Sequence, residues 1–175
     1  MLERCELRPF VPEDAPSLAQ MANDLTVWRN LRDMFPHPYT LEHARGFIQH
    51  TLSQTPGCHL AIVVDGQAVG SIGLKLGTDV ERISAELGYW LGAHYRGRGI
   101  MTDAIRTFTD DAFESLSLTR IFALPFAQNV ASCRALEKAG FVLESVLRCS
   151  CIKEGRITDQ RQYARIHEPA MCVLP

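Results

Sequence analysis

The octapeptide Tyr95-Arg96-Gly97-Arg98-Gly99-Ile100-Met101-Thr102 holds the densest chemistry in the chain. Two arginines alternate with two glycines, directly after an alternating segment from Ile83 to Leu91. Apolar residues at helical spacing follow: Met101, Ala104, Ile105, Phe108, Ala112 and Leu116. The spacing predicts a strand, a tight turn and a helix. Gly97 and Gly99 lack a Cβ, so the backbone there can take positive φ and lie against a ligand, while the first amides of the helix have no partner within it. Backbone donors at a helix start, with Arg96 and Arg98 beside them, suit a pyrophosphate. The same residues would also make a basic surface turn that caps the helix and binds nothing.

Two better-known phosphate loops do not fit. A P-loop carries Lys and then Ser or Thr after its last glycine, whereas Ile100-Met101 follows Gly99. The dinucleotide fingerprint needs Gly or Ala three residues beyond Gly99, in a βαβ unit near the start of a domain. Position 102 is Thr and the turn lies past the middle of the chain.

The elements that position this turn read in order. Leu7 to Phe10 is a short extended segment, and Pro12, Glu13 and Asp14 open a helix expected to run to Asn23. Asp24 to Tyr39 carries Val27, Trp28, Leu31, Met34, Phe35 and Tyr39 between prolines, too apolar for an idle loop. Thr40 is a helix N-cap for a segment reaching Leu52. Leu60–Val64 and Ala68–Leu76 flank Asp65-Gly66, the signature of a type I′ hairpin. In the strand from Ile83 to Leu91, Glu86, Gly88 and Trp90 share a face, and Gly88 marks a bulge or a close backbone approach. A strand from Arg120 to Pro125 precedes a helix capped by Asn129 and ended by Gly140. Two strands, Phe141–Cys151 and Ile157–Ile166, close the chain around Glu154-Gly155, ahead of a loosely held tail from Glu168 to Pro175.

Length and composition bound the class. At 175 residues, 46% of them hydrophobic, the chain is expected to form one domain, residues 1–175, around a single core. Eighteen Lys and Arg against 20 Asp and Glu give a net charge of -2, without the global basic surface of a nucleic-acid binder. No apolar run spans a bilayer, and Glu3, Arg4 and Glu6 break any apolar leader, so a cytoplasmic protein without membrane partners is expected. Six cysteines, including Cys149 and Cys151 on one strand, show no zinc spacing. They are expected to stay reduced, and no metal site is expected.

The order β α α β β β α β α β β, a mixed α/β (α+β) sheet with the basic turn between a central strand and its helix, resembles the GNAT superfamily of N-acetyltransferases over nearly the whole chain. Arg96-x-x-Gly99-x-Met101 matches that family's Arg/Gln-x-x-Gly-x-Gly/Ala motif at two of three positions, Met101 departing from the usual small residue. Leu7-Arg8-Pro9, Phe35 to Thr40, Glu86 to Leu91, Asn129-x-x-Ser132 and Gly140-Phe141 are most similar to the branch that acetylates N-termini of ribosomal proteins. The resemblance implies acetyl-coenzyme A as co-substrate. Tyr89, Trp90 and Leu91 would contact the acyl-pantetheine end, Gly97 to Thr102 the pyrophosphate, and Asn129 the cofactor side.

Acetyl transfer to an amine needs a base for the ammonium, donors for the oxyanion and a group to meet the departing thiolate. Glu86, on the glycine-bearing strand, is the expected base; satisfying a neighbouring backbone group or Arg is its alternative role. Backbone amides at a bulge near Tyr89 and Trp90 would meet the oxyanion. Many members of the superfamily place a tyrosine seven residues after the Asn, where this chain has Leu136. By resemblance within the branch, the role passes to Ser132, as proton donor or as hydrogen-bond donor to sulfur. Trp28, Phe35 and Tyr39 are expected to line the acceptor groove, or else to pack on the core. The acceptor is expected to be a protein or peptide α-amine, with a small-molecule amine or a non-catalytic acetyl-coenzyme A-binding module as alternatives, in a monomer or homodimer.

Overall fold

The computed structural model describes residues 4–168. Seven strands form one sheet: β1 (Glu6–Arg8), β2 (His59–Val64), β3 (Gln67–Leu76), β4 (Ser84–Leu91), β5 (Arg120–Ala123), β6 (Val142–Lys153) and β7 (Arg156–Ile166). Their order is β1-β2-β3-β4-β5-β7-β6, every pair antiparallel except β4–β5. The helices are α1 (Ala15–Ala22), α2 (Leu25–Trp28), α3 (Leu41–Leu52), α4 (Ile100–Ser115) and α5 (Val130–Lys138). The mixed-sheet expectation is met.

Alternation along β2 divides the core. Ile62 joins Ile72, Leu87, Ile105 and Leu136 under α4 and α5, while Ala61 and Val63 join Leu18 and Ile48 under α1 and α3. Both faces of the central strands are therefore covered by helices, as the apolar run Ala68–Leu74 of β3 requires.

The type I′ hairpin forms as read, with φ of 49° at Asp65 and 77° at Gly66. The closing strands are longer than expected because Glu154-Gly155 makes a second two-residue turn of this kind, at φ 50° and 74°. The first helix is shorter than expected. Pro12–Asp14 is a single 3-10 turn, since the Asp14 carboxylate accepts from both Arg8 guanidinium nitrogens (2.7 and 2.8 Å) and from the Val11 amide (3.0 Å), which pins the chain before α1 begins. Helix α2, inside the segment whose conformation the sequence did not give, starts at Asp24, whose carboxylate accepts from the Thr26 amide. The expected tail falls outside the described residues from position 169 onward.

No bulge interrupts β4. It pairs with β3 in unbroken register from Ala85 to Leu91, the one shift on that side of the sheet falling between Ile62 and Val63. What opens the sheet is divergence. Strand β4 pairs with β5 only at Ser84, Ala85 and Glu86, and beyond them the two parallel strands part.

Candidate active site

The parting of β4 and β5 opens a cleft of about 500 Å³. One end is closed by the turn Gly97–Gly99 and the start of α4, the other by the segment after α2, with α5 along the side. At the first end Gly97 and Gly99 hold φ of 76° and 80°, in the left-handed region that glycine alone enters freely. Gly99 caps α4, and the Asp103 amide is the first to bond back to its carbonyl. The amides of Ile100, Met101 and Thr102 thus have no partner within the helix and face an anion-binding position. All three residues line the cleft.

Two of the expected charges are spent otherwise. Arg96 lines the cleft, but its Nε donates to the Leu91 carbonyl (3.2 Å) and its Nη1 to the Thr26 hydroxyl (3.0 Å), tying the turn to α2. Arg98 is absent from the lining. Its guanidinium lies 5.6 Å from the centre of the Tyr95 ring, and its carbonyl accepts from Arg4. The cations that line the cleft beside Met101 and Thr102 are instead Arg134 and Lys138, one turn apart on α5. Sequence reasoning missed both; the available signal was their i, i+4 spacing in the helix that Asn129 opens.

Of the two residues expected to supply oxyanion donors, Tyr89 faces the open side and Trp90 does not. The Gly77 amide bonds to the Ser84 carbonyl and the Gly92 amide to that of Val69, so the even-numbered residues of β4 exchange hydrogen bonds with β3. The amides of Leu87, Tyr89 and Leu91 consequently point toward the side vacated by β5, and that of Trp90 points toward β3. Gly88 keeps the same wall low, since a side chain there would meet nothing and project into open space.

Ser132 lies in the first turn of α5, its amide donating to the Asn129 side chain at 3.2 Å. Its hydroxyl is 2.7 Å from that of Tyr89, and all three residues line the cleft. Burial pushes the Tyr89 phenol well above its ordinary value, with the Ser132 hydrogen bond opposing in part. Tyr89 therefore stays protonated through the working pH range. Position 136 cannot substitute for Ser132, because Leu136 is fully buried in the core beneath α5.

At the far end stands Glu86, its side chain about one quarter exposed, held by the guanidinium of Arg32. Val27, Asn30 and Leu31 complete that wall. Trp28, Phe35 and Tyr39, expected there, do not line the cleft. Phe35 stacks on Tyr39 at 4.8 Å and meets Trp90 edge-on at 5.9 Å, so the pair supports the cleft wall from behind. Tyr39 is 5% exposed, and Trp28 carries the Lys153 ammonium 3.6 Å from its ring centre. Phe35 and Tyr39 bury their apolar area against the α1–α3 core instead of at a solvent-open groove, while Trp28 packs on His37 and Lys153.

Residues 4–142 match the family described as "Acetyltransferase (GNAT) domain". The chain belongs to the GNAT acetyltransferases. Among curated relatives, the "Probable N-acetyltransferase YjcK" of Bacillus subtilis is 34% identical over 136 residues, 75% of either chain. The "Spermidine N(1)-acetyltransferase" of Escherichia coli is 26% identical over 172 residues, covering 93% of this chain and 90% of that one. Among solved structures, "RimL- Ribosomal L7/L12 alpha-N-protein acetyltransferase in complex with Coenzyme A" superposes with a TM-score of 0.82 over 94% of both chains, at 22% identity.

This GNAT chain is accordingly an N-acetyltransferase that takes its acetyl group from acetyl-coenzyme A. The cleft fits that co-substrate in chemistry: free amides at the start of α4 and two α5 cations suit phosphates, and the β4 amides that β5 leaves unpaired suit an amide-bearing arm. No described helix is long and apolar enough to cross a membrane. Among the described residues no group of His, Cys, Asp or Glu is disposed to hold a metal ion.

Proposed function

We propose that this GNAT acetyltransferase acts on the α-amine of a protein or peptide N-terminus. The observation that carries the proposal is the count of carboxylates: among the described residues lining the cleft, Glu86 is the one acid. A single carboxylate suffices to accept one proton from an amine whose conjugate acid has a pKa of about 7.7–8.0. A polyamine brings further ammonium groups that would need further acids, and the cleft lining offers them none.

In this reading Glu86 takes the ammonium proton, directly or through water, and the freed lone pair attacks the thioester carbonyl. The outward amides of Leu87 and Tyr89 are suited to the oxyanion. The carbon–sulfur bond breaks as the nitrogen gives its second proton to solvent and the amide forms, and the Ser132 hydroxyl, backed by Tyr89, meets the sulfur. Relative acidity decides between the two roles open to that pair. A phenol raised above its ordinary pKa of about 10 does not surrender its proton to a thiolate whose acid sits near 8.5. Hydrogen-bond stabilisation of the thiolate, with solvent supplying the proton, is therefore the favoured role. Phe35 and Tyr39 act on the acceptor through Trp90 of the wall, and Trp28 acts by seating Lys153 beside Asp33.

The match to the spermidine acetyltransferase over most of the chain favours a second reading, a small-molecule amine as acceptor. Coenzyme A release measured with a free Ser- or Ala-initiated peptide, its N-blocked lysine-containing counterpart and spermidine separates the two. Fastest turnover of the free peptide supports the α-amine; fastest turnover of the blocked peptide or spermidine refutes it.

A further inference from the structure

Three carboxylates at or beside the acceptor end each have a cation of this chain on them. Arg32 holds Glu86, the Lys153 ammonium lies 2.7 Å from Asp33, and Arg29 Nε lies 3.1 Å from Glu154. Lys75, opposite Glu86 in the β3–β4 register, adds an exposed cation on the same sheet face. Charge around Glu86 is thus matched pair by pair with Lys75 in surplus, and an incoming ammonium finds Glu86 itself already taken by Arg32. These pairs differ in how firmly they are held. The Lys153 side chain is 4% exposed and seated on Trp28, whereas that of Arg32 is 58% exposed, at the end of a long stem in the segment after α2. Arg32 and Arg29, the latter 50% exposed, are the members free to swing aside, and Arg32 is the one on Glu86.

We propose that Arg32 is a specificity-determining residue, a resident cation that occupies Glu86 until an acceptor arrives and disfavours acceptors that remain charged. The inference deepens the α-amine reading and rests on it. An α-ammonium that gives its proton to Glu86 becomes a neutral amine able to sit beside the guanidinium, whereas an acceptor that keeps its charge must displace the guanidinium and then stay next to it. Like charge within a few ångströms also lowers the affinity of a bound amine for its proton, which favours the nucleophilic form. The difference between an α-ammonium at about 7.7–8.0 and a lysine ammonium at about 10.4 makes the neutral form several hundred-fold scarcer for lysine near pH 7.5. A positive gate therefore falls far harder on ε-amines and polyamines than on chain termini.

The test compares wild type, Arg32→Ala and Arg32→Lys, each assayed with a free Ser-initiated peptide, its N-blocked lysine-containing counterpart and spermidine. Wild-type ranking tests the α-amine reading. The change in ranking between variants tests the role of Arg32. Loss of the gate in Arg32→Ala is expected to raise kcat/KM for spermidine and the blocked peptide relative to the free peptide by about tenfold, mostly through a lower KM for the cationic acceptors. Arg32→Lys, which keeps the charge, is expected to preserve the wild-type ratio within a few-fold. Ratios in Arg32→Ala within twofold of wild type would overturn the proposal even where the free peptide is the preferred substrate. A shift as large in Arg32→Lys as in Arg32→Ala would overturn it too, by showing that shape rather than charge sets the preference.

Discussion

The two ends of the cleft are built by different means. At the Gly97–Thr102 end backbone amides, fixed by two positive-φ glycines and the start of a sixteen-residue helix, carry the site, with Arg134 and Lys138 of α5 beside them. At the Glu86 end the ligand-facing groups are side chains, Glu86 and Arg32, with the pairs Lys153–Asp33 and Arg29–Glu154 outside the lining, so that 54, 120 and 125 positions of sequence are bridged. A backbone-built site is rigid, because moving it means unwinding α4. It also tolerates change in side chains that do not touch the ligand, as the displaced Arg98 illustrates. The side-chain-built site can change its acceptor by exchanging a few charged residues, which suits the end of a transferase where substrates vary.

The sharpest break between the ends should come from the base. Glu86→Gln keeps shape and loses the proton acceptor, so kcat/KM at pH 7 is expected to fall about 100-fold. The deficit should narrow as pH rises past 8 and the amine deprotonates unaided. A constant deficit from pH 6 to 9 would mean that Glu86 positions the acceptor without taking its proton.

A smaller loss is expected from the hydroxyl pair. Ser132→Ala and Tyr89→Phe should each lower kcat about tenfold with coenzyme A affinity nearly kept, and the double variant should lose little beyond either single one, because the two act through one hydrogen bond. Additive losses would separate their roles. Because burial keeps the Tyr89 phenol protonated, wild-type rate should show no basic limb from it below about pH 10.

The smallest effect is expected where the hairpin tip meets the acceptor segment. Lys153→Met removes an ion pair and a cation–π contact while leaving Asp33 exposed to water, at a cost of about 1 kcal/mol in stability. The acceptor KM should rise a few-fold and coenzyme A binding should not change. An equal rise in the coenzyme A dissociation constant would tie the two ends together more tightly than the Arg96–Thr26 bond implies.

The same division explains what could be read before the fold was known. The turn, its strand and helix, the two hairpins and the Asn129 cap are encoded in residues within a few positions of one another, through glycine torsions, turn dipeptides and apolar period. Glu86 and Ser132 were legible as candidates because they sit inside those local motifs, and both line the cleft. The partners were not legible. Tyr89 meets Ser132 across 43 residues, and Arg32 meets Glu86 across 54. No local rule states which of the arginines in positions 29–32 turns inward. The bulge expected from Gly88 failed for a related reason. A glycine reports that the backbone must stay uncovered, and divergence of β5 uncovers it as well as a kink would.

Calorimetric titration of coenzyme A into Gly99→Val and Glu86→Gln, side by side with wild type, tests the separation of the two ends most directly. Valine at φ 80° brings backbone strain on the order of 1–3 kcal/mol, so the first dissociation constant is expected to rise about tenfold or more while the protein still melts cooperatively. Glu86→Gln is expected to bind within twofold of wild type. Unchanged binding in Gly99→Val, or a comparable loss in both variants, would contradict a cofactor end made by the backbone and independent of the acceptor end.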